Sequence, residues 1–280
     1  ESSHLDKLKP SPVPAMAAQT LSSIFSGRPL QPSRRTPSSA RVGVPKPARS
    51  AAGPPSEGRP LLPQGRKLRA AVVGGGPAGS SAAEALAAGG VETYLIERAP
   101  AGAKPCGGAI PLCMLDEFSL PPDLVDRRVT RMRIVSPSNI VVDFGRTLKP
   151  GEHIPMVRRE VLDAFLRDRA RTRGAQLVHG LVTGLDLPDG DGAPYVVRYI
   201  ASGEERAGAG AQRRLEVDVV IGADGANSRV AKAIGAGECA QAIAFQERIR
   251  LPEGKMAHYE ELAEMYVGGD VSPDFYGWVF

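Results

Sequence analysis

Residues 68–97 read LRAAVVGGGPAGSSAAEALAAGGVETYLIE, and the signals along this stretch decide the fold. A short apolar run up to Val73 ends in glycines, the pattern of a buried strand. A segment with small residues on one face follows, and Gly89-Gly90 stops it as a helix. TYLIER then supplies a second strand. Within this βαβ unit, Gly74-Gly75-Gly76-Pro77-Ala78-Gly79 satisfies G-x-G-x-x-G where that pattern has meaning, after a strand and at the opening of a helix. Gly74 permits the tight turn, Gly76 lets a pyrophosphate approach the backbone, and Gly79 with Ala83 lets the helix pack closely on the sheet. At Ala78 and Gly79 the helix N-terminus adds free N–H groups and the positive end of its dipole.

Glu97 lies 23 residues after Gly74, at the end of the second strand. There a carboxylate can accept hydrogen bonds from both adenosine-ribose hydroxyls, and its charge repels a 2′-phosphate. NADP is thereby disfavoured at this site, which leaves FAD or NAD. Arg98, the next residue, is grouped with the cofactor-binding positions.

A further helix is expected at REVLDAFLRDRARTRG, where Val161, Leu162, Phe165 and Leu166 form an apolar face and Gly174 ends the run. Strand-like AQLVHGLVTGL follows. The runs YVVRYI and LEVDVVI flank a polar segment and read as a hairpin with a long exposed loop. Residues 128–145 and 243–280 show β-like alternation and read as pieces of a second, sheet-rich unit inserted into the first. The expected division is a leader at 1–67, a discontinuous dinucleotide-binding domain at 68–127 and 155–237, and part of a substrate domain at 128–154 and 238–280.

The net charge of +4 and pI near 9.1 suggest a basic protein, but the basic residues crowd into the leader. Residues 1–67 hold 11 Lys and Arg against three Asp and Glu, whereas the remainder holds 24 against 28. The expected folded part is therefore slightly acidic, and nucleic-acid binding is excluded as a reading. The leader is rich in Ser, Ala, Arg and Pro and too poor in apolar residues to fold. That is the character of an organelle transit peptide, with a disordered linker as the alternative. Three scattered cysteines and four scattered histidines predict neither disulfides nor a metal site. No stretch approaches the roughly 18 consecutive apolar residues of a membrane-spanning helix, so membrane contact is expected to be peripheral at most.

Two further motifs favour FAD over NAD. Arg158-Arg159 with Leu162-Asp163 opens the later helix, and a buried strand ends in Gly222-Ala223-Asp224-Gly225-Ala226-Asn227-Ser228. Here the sequence resembles the flavoprotein superfamily of aromatic hydroxylases and isoprenoid reductases. The resemblance implies an α/β fold, a Rossmann-like FAD-binding domain of the aromatic-hydroxylase type with an inserted sheet-rich substrate domain. It also implies a flavin-site arginine at Arg159, with Arg158 as the alternative, and places Asp224 and Gly225 at the pyrophosphate and NADPH side of the cleft.

Within that superfamily, Pro105-Cys106-Gly107-Gly108 and Pro273-Asp274-Phe275-Tyr276-Gly277-Trp278-Val279-Phe280 resemble the PCGG and PxxYxWxF motifs of geranylgeranyl reductases. The resemblance runs from about residue 68 to the last residue. It implies an FAD enzyme of the chloroplast that uses NADPH to saturate a geranylgeranyl chain, carried on a diphosphate or on chlorophyll, for chlorophyll and tocopherol synthesis. Peripheral association with the thylakoid membrane goes with such a substrate. Gly107 and Gly108 would let a loop lie against the flavin ring, and Cys106 would relay a proton or shape the pocket. Tyr276 and Trp278, with Phe275 and Phe280, would line an apolar prenyl site. The family carries a later Gly-Asp motif that has no counterpart after Trp278, so a domain incomplete at its C-terminus is expected. A flavin monooxygenase of the same architecture and a non-catalytic FAD-binding fragment are the rival readings.

Overall fold

The computed structural model describes residues 66–102, 104–202, 212–273 and 276–280. The expectations for the leader up to residue 65, for the polar loop at 203–211 and for Phe275 fall outside them.

Strand β1 (Arg69–Val73), helix α1 (Pro77–Ala88) and strand β2 (Glu92–Glu97) form the βαβ unit. Pro77 sits at the start of α1, where a missing N–H costs nothing, and Gly90 takes a positive φ of 83° just past its end. Helix α2 (Cys113–Glu117), strands β3 (Arg127–Val129), β4 (Arg131–Val135), β5 (Val141–Asp143) and β6 (Ile154–Met156) lead to helix α3 (Arg159–Thr172). Strands β7 (Gln176–Asp186), β8 (Tyr195–Ala201), β9 (Arg213–Val217) and β10 (Val219–Gly222) precede helix α4 (Arg229–Ala233). The chain closes with helix α5 (Met256–Tyr259) and strands β11 (Leu262–Val267) and β12 (Tyr276–Val279).

The largest sheet runs β10-β1-β2-β7-β8-β9. Its first four strands are parallel, whereas β7, β8 and β9 form an antiparallel meander. Strand β7 serves both parts: residues up to His179 pair with β2, and those from Gly180 pair with β8. Only Asp218 separates β9 from β10, yet the two lie at opposite edges of the sheet. The sheet must therefore fold over along β7, which lays the meander against one face of the parallel strands.

Alternation within β1 and β2 shows both faces buried. Ala71, Val73 and Ile96 face Val182, Val197 and Val217 of the meander. Val72 and Leu95 face Ala83 of α1 and Ala170 of α3. Small residues on α1 and α3 bring both helices close to the strands, the packing that the Ala-rich helix face announces.

The LEVDVVI run thus divides into two strands: β9 completes the expected hairpin with β8, and β10 leaves it to pair with β1. Asp218 makes the break: its carboxylate accepts the Arg69 N–H at 2.8 Å and an ion pair from Arg66, so the chain after it is drawn alongside β1.

The two β-like segments meet in a four-stranded sheet of order β12-β11-β4-β5, in which β4 and β11 pair in parallel. The alternation expected from residue 243 onward does not become a strand until Leu262. Ile243, Phe245 and Ile249 are exposed in a segment without regular structure.

Candidate functional site

The glycine turn is held from three sides. A Cβ on Gly74, whose φ is 104°, would lie 2.3 Å from the Ala223 carbonyl oxygen, and one on Gly79 would lie 1.8 Å from the Gly74 carbonyl oxygen. Neither position has room for any side chain. Gly76 differs: a Cβ there would meet only Arg159 Nη2, at 3.9 Å. The backbone at Gly76 therefore faces a space rather than a neighbour. Among the described residues no side chain caps α1, so its first N–H groups, around Ala78 and Gly79, have no capping acceptor there. An open cradle at Gly76, unpartnered helix donors and a nearby guanidinium are what a dinucleotide pyrophosphate needs, and the residues present fit one.

Glu97 ends β2 buried against this turn. Its Oε2 accepts the Gly75 N–H at 2.7 Å and its Oε1 accepts the Ala99 N–H at 2.8 Å. Each carboxylate oxygen has a second lone pair, so these bonds orient the carboxylate and leave it capacity for ribose hydroxyls. Arg98 is exposed just beyond, and its carbonyl accepts from the Ser202 hydroxyl.

The structure separates the two candidate arginines. Arg158 turns outward to an ion pair with Asp126 at 2.9 Å. Arg159 turns toward Gly76 and is gripped by Asp163, one turn later on α3, through bonds of 2.8 and 2.9 Å. The Asp163 carboxylate, opposed by burial and helped by the nearby Cys106 sulfur, holds the Arg159 guanidinium even more firmly protonated than usual.

Cys106 reaches that position because its loop is tied to the chain entering α3. The Val157 N–H donates to Gly108 O at 2.9 Å, and the Ile110 N–H donates to Pro155 O at 3.0 Å. Gly108, at φ 90°, fits so closely that a Cβ would lie 2.6 Å from Val157 O. The Gly108 N–H in turn points at Cys106 Sγ, 3.4 Å away.

Tyr276, Trp278 and Phe280 share one face of β12 and its end. Tyr276 and Trp278 meet edge to face at 5.3 Å, and Trp278 stacks on Phe280 at the same distance. The ladder ends on the cysteine loop, because a Cβ on Gly107 would fall 2.4 Å from the Phe280 ring. Two motifs some 170 residues apart are thereby joined.

The GADG turn approaches from the other side through main chain. The Ala223 N–H donates to Val73 O at 2.8 Å, while Gly225 takes a positive φ of 82°. The Asp224 carboxylate turns away from the glycine turn to the start of α4, accepting from the Ser228 hydroxyl and the Arg229 N–H at 2.5 and 2.6 Å.

Sequence reasoning missed Arg167. It is buried on α3 and donates to Gly75 O at 2.9 Å and Pro100 O at 2.5 Å. The signal was present: Arg159, Asp163 and Arg167 recur every four residues, placing a charged line beside the apolar face of α3.

Residues 67–105, from the start of β1 into the cysteine loop, match the family described as FAD binding domain. Over 216 residues the chain is 65% identical to the geranylgeranyl diphosphate reductase of Nicotiana tabacum, covering 77% of this chain and 47% of that one. Over about three quarters of its length the chain is similar to geranylgeranyl diphosphate reductases. The enzyme of that name from Synechocystis sp. is 64% identical over 213 residues, which are 76% of this chain and 52% of that protein. The chain thus spans about half the length of the curated geranylgeranyl reductases it matches. A solved structure from Thermoplasma acidophilum, described as geranylgeranyl bacteriochlorophyll reductase-like, superposes with a TM-score of 0.57 at 24% identity. That match covers 77% of this chain and 53% of the other, and it supports the α/β flavoprotein fold.

Proposed function

We propose that this chain carries the FAD site of an NADPH-dependent chloroplast reductase that saturates double bonds of a geranylgeranyl chain. The observation that carries the reading is the convergence of the glycine turn, Arg159 and Cys106, in a chain 65% identical to a geranylgeranyl diphosphate reductase named as chloroplastic. Geranylgeranyl diphosphate and geranylgeranyl-chlorophyll both fit as carriers of the prenyl chain, and a thylakoid-surface location suits the second.

In this reading residues 68–127 and 155–237 hold the cofactor, and 128–154 with 238–280 contribute the substrate side. FAD, when bound, supplies the hydride-transfer chemistry. Gly74, Gly76, Ala78 and Gly79 hold its pyrophosphate, and Glu97 holds the ribose. Arg98, Asp224 and Gly225 flank the dinucleotide on the two loops that border the turn. Arg159 offers a fixed positive charge beside the pyrophosphate, kept in place by Asp163. Gly107 and Gly108 keep the cysteine loop thin enough to lie along the flavin. Cys106, with its sulfur between the Gly108 N–H and the Arg159 guanidinium, is the thiol placed to hold or move a proton. Tyr276 and Trp278 form an apolar wall that aligns the prenyl chain and keeps water from it.

The test supplies the enzyme with NADPH and each prenyl substrate in the absence of oxygen and follows the product mass. Stepwise gain of two hydrogens is expected. No gain on either substrate, with FAD bound and reducible, would overturn the reductase reading.

A further inference from the structure

We propose that Arg167 is the residue that positions the glycine turn to bind the dinucleotide phosphates, an inference that rests on the FAD reading above. Gly75 is held through both of its main-chain groups. On one side the Gly75 N–H donates to Glu97 Oε2 at 2.7 Å. On the other the Gly75 carbonyl accepts from Arg167 Nη1 at 2.9 Å and from the buried Ser80 hydroxyl at 3.2 Å.

A trans peptide points its C=O and the following N–H in opposite directions. Every peptide bond among the described residues is trans. Drawing the Gly75 carbonyl toward Arg167 therefore turns the Gly76 N–H away from Arg167, at the residue where, among the described residues, a Cβ would find only the Arg159 guanidinium, at 3.9 Å. A cationic donor on the carbonyl also polarises the peptide, which strengthens the opposite N–H as a donor to an anion.

Arg167 adds a second constraint through Pro100 O, in the loop that follows Glu97. One buried guanidinium thus ties the phosphate turn to the ribose-side loop. Arg167 touches no part of the bound dinucleotide in this arrangement; it acts through the Gly75–Gly76 peptide.

The experiment measures FAD affinity by flavin fluorescence in the full protein and in its Arg167→Met, Arg167→Lys and Ser80→Ala variants, with the melting temperature of each taken without FAD. Arg167→Met should weaken FAD binding roughly tenfold or more, the scale of one lost hydrogen bond from a charged group. Arg167→Lys can still reach one of the two carbonyls and should recover part of that loss at a melting temperature close to that of the Met variant. Ser80→Ala, which leaves Arg167 in place, should fold normally and weaken FAD by about threefold. Wild-type affinity in Arg167→Met, or in both Arg167→Lys and Ser80→Ala should the Met variant not fold, overturns the inference. Equal affinities for the Lys and Met variants would also overturn it, since a purely structural role predicts no rescue. Absence of FAD binding by the unsubstituted protein would instead refute the cofactor reading itself, before any variant is made.

Discussion

Replacing Gly79 by Ala sets two effects of opposite sign against each other. In a helix, Ala is favoured over Gly by about 1 kcal/mol, so propensity alone predicts a more stable protein. The structure predicts the reverse. The added methyl carbon would lie 1.8 Å from the Gly74 carbonyl oxygen, 3.0 Å from its carbon and 3.1 Å from Ala223 Cβ. Two of these are backbone atoms, which cannot rotate away, so helix α1 would have to lift off the turn. Overpacking of a close-fitted site costs about 1–3 kcal/mol, and a lift of roughly 1 Å also loosens Ala83 from Val72 and Leu95. With the propensity gain subtracted and the loosened Ala83 contacts counted, the net expectation is a loss of about 1–2 kcal/mol, or about 2–8 °C in melting temperature for a protein of this size. Urea denaturation without cofactor measures it, with Gly190→Ala as the control, because a Cβ there meets nothing within 4 Å. The control should be neutral or slightly stabilising. A Gly79→Ala protein as stable as the control, with undiminished FAD affinity, would refute the close-packing argument.

Asp163→Ala leaves the Arg159 guanidinium without its bidentate partner; because Arg159 retains some exposure, the loss should fall near the low end for broken buried pairs, about 3 kcal/mol, read by urea denaturation. A second prediction concerns acid stability. Burial pushes the Asp218 carboxyl up, but the Arg69 N–H and the Arg66 guanidinium outweigh it and hold the carboxyl below its ordinary value. The folded state therefore favours the carboxylate. Its contribution is fully present above about pH 4 and is lost as the pH falls through the folded-state value. Asp218→Asn should remove that part of the acid dependence, as stability measured from pH 5 downward will show. Cys106→Ala should retain FAD, because the loop is held by the main chain of Gly108 and Val157, yet lose most prenyl reduction in the assay described above. Unchanged turnover with FAD bound would remove the thiol from the mechanism.

What was legible in the sequence divides according to the range over which each signal acts. The β1-α1-β2 unit is local: strand, turn and helix lie within 30 residues, and the glycine spacing states its own geometry. Residues 159–174 likewise showed their helix through periodicity and a terminal glycine. The strand break at Asp218 was hidden, because LEVDVVI keeps apolar residues on both sides of Asp218 and the partner that splits it is the main chain of Arg69, about 150 residues earlier. The outward turn of Arg158 was hidden for a similar reason, since Asp126 lies in a different segment.

Arg167 illustrates the deeper limit. Motifs are recognised by side chains that meet a ligand, and a residue whose partners among the described residues are the carbonyls of Gly75 and Pro100 leaves no complementary letter to find. Its burial is what makes it informative. A guanidinium withdrawn from water stays only where its donors are met, and both main-chain acceptors belong to the loops that frame the proposed phosphate and ribose positions. Arg169, on the same helix, pairs with Glu84 and donates to the Phe118 carbonyl, outside the glycine turn. That Arg167 instead joins the two loops of the dinucleotide site is the physical reason to test it against FAD affinity rather than against stability alone.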